Sequence, residues 1–157
     1  MRHRKLGRRL NRNTPHRRAL LRNMAAQLFT YGRIITTCAK AKFFLPYGER
    51  LITIAKKGGL ANYRRAIVGV GDRVVAKRLF DQISPHFSQR AGGCLRMLHY
   101  ARSPRRESSR EFYVTINRLG DNAPMALVEL VGFSEGVFGD LFKKAKEKPE
   151  EKPAEGQ

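Results

Sequence analysis

The first carboxylate in this chain is Glu49. Residues 1–48 carry 12 Lys and Arg and no Asp or Glu, which excludes an ordinary mixed-sign solvated surface for the leading third. Cysteine is also scarce. Cys38 and Cys94 stand far apart, with no Cys-x-x-Cys or His spacing beside either. That excludes a disulfide framework and a metal site, and predicts two reduced, partly buried thiols. No stretch approaches the ~18 uncharged apolar residues of a membrane span, and no signal-peptide core is present. Catalytic signatures are equally thin. His3 and His16 sit among arginines, where a further positive charge is disfavoured, and His86 and His99 are isolated. There is no acidic pair for acid/base work, no Gly-x-Ser-x-Gly and no phosphate loop. "GVGD" at 69–72 reads as a turn before a helix. These absences argue against an enzyme, a cofactor and a small-molecule substrate.

What is present is cationic. The 157 residues suggest one domain, and 41% hydrophobic content is enough for a core. The formal net charge is +19, with a pI near 10.9. Self-repulsion at that charge works against compaction unless a polyanion neutralises it. The excess is uneven. Residues 49–142 hold 15 basic and 9 acidic side chains, and residues 143–157 hold 5 Lys and 4 Glu. This last, Pro-containing segment has no large apolar residue to offset its ordering entropy, and disorder is expected from about residue 143.

Helical periodicity follows the arm. Thr14-Pro15 predicts a helix start with the Thr14 hydroxyl as cap and Pro at the first position. Leu21, Met24, Leu28 and Tyr31 then trace one face, and Gly32 ends the helix. "RIITT" is a β-branched stretch after which Thr36 or Thr37 caps a second helix. The buried side of that helix runs through Ala41, Phe44, Leu45, Leu51, Ile52 and Ala55. Pro46 and Gly48 predict a kink or break within it, and Gly58-Gly59 a stop. A short helix follows, then one capped by Asp72, with Val74, Val75, Leu79, Phe80 and Ile83 inward and Pro85 closing it. After Gly92-Gly93 the period changes to two. "CLRMLHYAR", "EFYVTINRL" and "MALVELVGF" read as strands, with "GDNAP" as a turn. The expected class is α+β: a basic extended N-terminal arm, three to four helices, then a small antiparallel sheet of about three strands.

Residues 1–13 offer only Leu6 and Leu10 as large apolar side chains after the initiator, too few for a membrane-surface helix. Arg outnumbers Lys seven to one in residues 1–18, and Arg gives planar, bidentate phosphate contacts and stacks on bases. Nucleic acid is therefore the expected partner. A DNA reader using the helix at 15–31 is one form; folded RNA suits a long arm better, because crevices accept an extended segment. Fully extended, residues 1–14 span roughly 45 Å.

Several segments strongly resemble the bacterial-type large-subunit ribosomal protein seventeen family: "MRHRKLGRRLNRN", "HRRALLRNM", "RIITTCAKAK", "ERLITIAKKG", "AKRLFDQISPHFSQRAGG" and "LGDNAPMALVELV". The resemblance covers about residues 1–98 and 116–133 and implies a structural rRNA-binding constituent of the large subunit, without catalysis. By position it implies 23S-type rRNA contacts from Arg2, His3, Arg4, Lys5, Arg8, Arg9 and Arg12 in the arm. It further implies contacts from His16, Arg17, Arg18 and Arg22 on the first helix, and from Arg33, Thr36, Thr37, Lys40 and Lys42 beyond it. It also implies neighbouring ribosomal proteins as partners, no homo-oligomer, and a bacterial cytoplasm rather than an organelle. The expected organisation is a basic extension over 1–14, a globular domain over 15–133 and a C-terminal extension over 134–157. One departure is about fifteen extra residues, "HYARSPRRESSREFY" at 99–113. They read either as an inconsequential loop or as an elongated hairpin adding an RNA or protein contact through Arg105, Arg106 and Arg110.

Overall fold

The computed structural model describes residues 9–100, 117–118 and 120–132. The first helix, α1, spans Thr14–Tyr31. Its cap lies one residue earlier than the sequence suggests: Asn13 Oδ1 accepts from the His16 amide at 3.1 Å. An Asn side chain ahead of the helix reaches that orphan amide, which leaves the Thr14 hydroxyl to accept from Arg17 at 3.1 Å instead. The buried stripe is Met24, Ala25, Leu28 and Phe29, rotated from the expected one, and Tyr31 is 57% exposed. Gly32 ends α1 in the left-handed region at φ 76°, its N–H donating to Leu28 O at 2.7 Å.

The chain then forms β1, Arg33–Thr37, directly between two helices. Helix α2, Cys38–Lys57, passes through Pro46 without ending. Proline removes one i→i−4 bond, a cost of ~3 kcal/mol in an isolated helix. Here Ala41, Phe44 and Gly48 are buried ahead of and beyond it, as are Leu51, Ile52 and Ala55, so tertiary packing on both sides keeps the helix continuous. Pro46 itself is exposed. Thr37 occupies the cap position but makes no side-chain capping bond. Helix α3 is Leu60–Val70. Helix α4, Arg73–Arg78, starts on Asp72, whose Oδ1 accepts from Val74 N at 2.7 Å. It does not close at Pro85. It widens into a π turn, Leu79–Ile83, and tightens into a 3₁₀ turn, Ser84–Phe87, because Pro85 has no N–H to continue the α ladder. Val74, assigned inward by periodicity, is 77% exposed.

The sheet has three antiparallel strands in the order β1-β3-β2, with β2 at Leu95–His99 and β3 at Met125–Leu130. The third strand is therefore "RIITT", drawn from between the first two helices. The strand expected over 111–119 lies largely outside the described residues; Asn117 makes an isolated bridge to Pro124. α2 lies against all three strands and α1 against β1 and β3. The core is filled by Phe29, Phe44, Leu28, Ile52, Leu79 and Leu130. Cys38 and Cys94 are free and buried. Burial, reinforced by Glu49, pushes the Cys94 thiol pKa up.

Two outcomes follow from the caps and turns. Asn13→Ala is expected to destabilise the protein by about 1 kcal/mol in urea unfolding, with a smaller loss for Thr14→Ala. In the "GDNAP" turn, Arg118 bonds to the Asp121 carboxylate, at 2.9 Å for Nε to Oδ1, and Ala123 N donates to Asp121 Oδ1 at 3.3 Å. The Arg118 hydrogen bond holds the Asp121 pKa down to about 2. A depressed carboxylate contributes stability that is present above its ordinary value of about 3.9 and is lost as pH falls through about 2. An NMR titration of the Asp121 carboxyl should show the low midpoint, and Arg118→Ala should return it toward the ordinary value.

Candidate nucleic-acid interface

The cations expected to meet RNA fall into separate groups in the fold. The first gathers at the start of α1. Arg9 and Arg12 close a turn, Arg12 N donating to Arg9 O at 3.0 Å, with Leu10 and Asn11 both left-handed at φ 51° and 50°. That conformation is unusual for a leucine. Side chains of α1 hold the turn in place. Arg17 donates to Arg12 O at 2.7 Å and to Thr14 Oγ1, while Arg12 Nε donates to His16 Nε2 at 3.4 Å and its Nη1 to Leu10 O at 3.0 Å. Four predicted residues, Arg9, Arg12, His16 and Arg17, thus cluster where the helix dipole is positive, and the first turn of α1 contains no acid. Cations are disfavoured at that end, so an anion there gains from both the dipole and the side chains.

Arg18 and Arg22 form the second group. They are exposed, one turn apart on α1, an arrangement of like charges that costs stability in an isolated helix. They border a hollow of about 300 Å³ to which α2 and α3 add Arg50 and Arg65. Neither of these two was anticipated. Each lies on a different helix, and only packing brings them to Arg18 and Arg22; the local pattern around either residue contains no signal for it. Tyr47, also in the hollow, has its phenol pKa raised by burial, against the opposing charge of Arg22.

The remaining predicted residues are dispersed. Arg33 is exposed at the edge of the sheet and stands in register with Glu129, which faces Arg96 on the other side. Glu129 is only 2% exposed and accepts from Arg96 Nη2 at 2.6 Å and Nε at 3.0 Å. A buried carboxylate is thus paired across this row of the sheet. Thr36 and Thr37 are half-buried at the end of β1. Lys40 is half-buried and Lys42 exposed; two residues apart on a helix, they do not share a face. Arg2, His3, Arg4, Lys5, Arg8, Arg105, Arg106 and Arg110 lie outside the described residues. Among the described residues no three His, Cys, Asp or Glu side chains gather as a metal site requires, and no helix is long and apolar enough to cross a membrane.

Comparison with known proteins adds an independent finding. A family model described as Ribosomal protein L17 matches residues 20–115. The chain is 41% identical over 131 residues to the large ribosomal subunit protein bL17 of Allorhizobium ampelinum, covering 83% of this chain and 82% of that protein. It is 41% identical over 145 residues to the large ribosomal subunit protein bL17 of Syntrophotalea carbinolica, covering 92% of this chain and 82% of that one.

The hydrogen bonds at the start of α1 assign unlike roles to adjacent arginines. Arg17→Ala should speed amide exchange at Arg12, because it removes the brace on the turn carbonyl. Arg18→Ala should leave that amide unchanged. Hydrogen–deuterium exchange read by NMR separates the two.

Proposed function

Because this chain belongs to the ribosomal protein L17 family, we propose that it is a structural constituent of the large ribosomal subunit whose basic N-terminal arm and helix faces bind 23S-type rRNA. The observation that carries the rRNA reading is the complete absence of acid from residues 1–48, joined to the cation cluster at the start of α1. Polyphosphate neutralises both. In this reading Arg2, His3, Arg4, Lys5, Arg8, Arg9 and Arg12 thread rRNA crevices. His16, Arg17, Arg18 and Arg22 present α1 to the backbone, and Arg33, Thr36, Thr37, Lys40 and Lys42 extend the contact. The protein supports subunit assembly in the bacterial cytoplasm as a single copy beside other ribosomal proteins. It performs no reaction and carries no cofactor. Arg105, Arg106 and Arg110 add a secondary contact.

Counterion release governs such binding, with log K falling against log salt by about 0.9 for each phosphate neutralised. On a sucrose gradient of cell lysate the protein should travel with large subunits and move to the soluble fractions after RNase treatment. Nucleoid association that survives RNase would point instead to a DNA-architectural protein. Deletion of residues 2–13 removes the Asn13 cap of α1, a loss of about 1 kcal/mol, but spares the core. The truncated chain should therefore stay folded by circular dichroism, yet be depleted from large subunits and show a shallower salt slope. Normal incorporation of the truncated chain would overturn the role given to the arm.

A further inference from the structure

The hollow between α1, α2 and α3 has a construction that the arm-centred reading does not use. Its four cations, Arg18, Arg22, Arg50 and Arg65, are all exposed and all arginine. No Asp or Glu lines it, and no ion pair among the described residues involves any of the four. Between them the surface is apolar, with Leu51 buried, Leu21 and Ile54 half-buried and Val68 64% exposed. Tyr47 is held in place by its hydroxyl, which donates to Gly69 O at 2.7 Å. Gly69 lets the two helices approach this closely: a Cβ there would lie 2.6 Å from Leu51 Cδ2.

We propose that this hollow receives one unstacked nucleotide of the large-subunit rRNA, its phosphate held by the arginine forks and its base lying on the apolar surface beside Tyr47. The inference rests on the rRNA-binding reading above and adds Tyr47, Arg50 and Arg65, which are outside the arm. About 300 Å³ is at the small end of ligand-sized pockets and accepts a planar ring; a helix about 10–12 Å wide does not enter it. RNA is recognised largely through such splayed bases, stacked on aromatic or guanidinium planes. Arginine at all four positions favours this over a simple cationic patch, because a lysine ammonium neither stacks nor forks.

The test uses the full-length protein bound to protein-free large-subunit rRNA, irradiated with ultraviolet light, the cross-linked peptides then being mapped. Cross-links are expected in the segments 47–54 or 65–69, to a single nucleotide. In R50Q/R65Q those cross-links should disappear while cross-links from the arm persist, and the salt slope should fall by about 2. The melting temperature should not change, since both side chains are exposed. R50K/R65K keeps the charge without the forks. It should retain most of the slope and lose most of the cross-link, and it carries the test should the glutamine variant unfold. Cross-links and slope unchanged in both folded variants would overturn the nucleotide site while leaving rRNA binding through the arm intact. Cross-links from these segments to an acidic neighbouring protein in intact subunits would also overturn it. Failure of the unaltered protein to bind the rRNA at all would instead defeat the broader reading.

Discussion

Strand β3 is the element on which the described fold closes. Its backbone pairs with β1 on one side and β2 on the other, so residues 33–37, 95–99 and 125–130 become one sheet. Without it β1 is a five-residue segment between two helices, and β2 has no partner strand among the described residues. With it, α1 is held by a short connection to one edge of the sheet, and α2 lies across all three strands. Closure depends on Leu130 and Val128, which are fully buried, and on Glu129, whose charge is matched by Arg96. Burying a carboxylate costs several kcal/mol unless it is paired and hydrogen-bonded, and Arg96 supplies both for Glu129.

The closed core gives a rigid support to cations that repel one another. Arg12 and Arg17 are ordered by donating to backbone carbonyls and a hydroxyl rather than to carboxylates. Such bonds fix the side chains without cancelling their charge. The surface around α1 therefore keeps its field for a polyanionic partner, which in the proposed function is ribosomal RNA. The hollow at Arg18, Arg22, Arg50 and Arg65 follows the same economy: cations without acids, set around apolar groups that a base can cover.

Much of this was legible in the sequence, for reasons that are local. Gly32 ends α1 because a left-handed residue needs no Cβ, and Asp72 caps α4 because a short carboxylate reaches the next free amide. The cationic opening needed no fold to be seen. Errors arose where tertiary packing outvoted a local preference. Pro46 does not break α2, because buried residues on both sides keep the helix continuous. Pro85 shifts helical pitch instead of ending the helix. Thr37 has a capping hydroxyl and does not cap, while at Thr14 the displacement is local, by Asn13 one residue earlier. Tyr31 and Val74 fit the apolar period yet face water, since a period of 3.6 leaves the stripe's rotation open by one residue.

By itself the sequence determined the charge asymmetry, the α+β class, the helix ends governed by glycine or a capping carboxylate, and the resemblance that identifies the family. These depend on residue type and spacing along the chain. Tertiary structure alone decided that "RIITT" is an edge strand paired with residues 125–129, and that arginines from three helices share one hollow. The physical reason is common to both: strand pairing and side-chain convergence are contacts across long separations, set by how apolar faces pack and carrying no local mark.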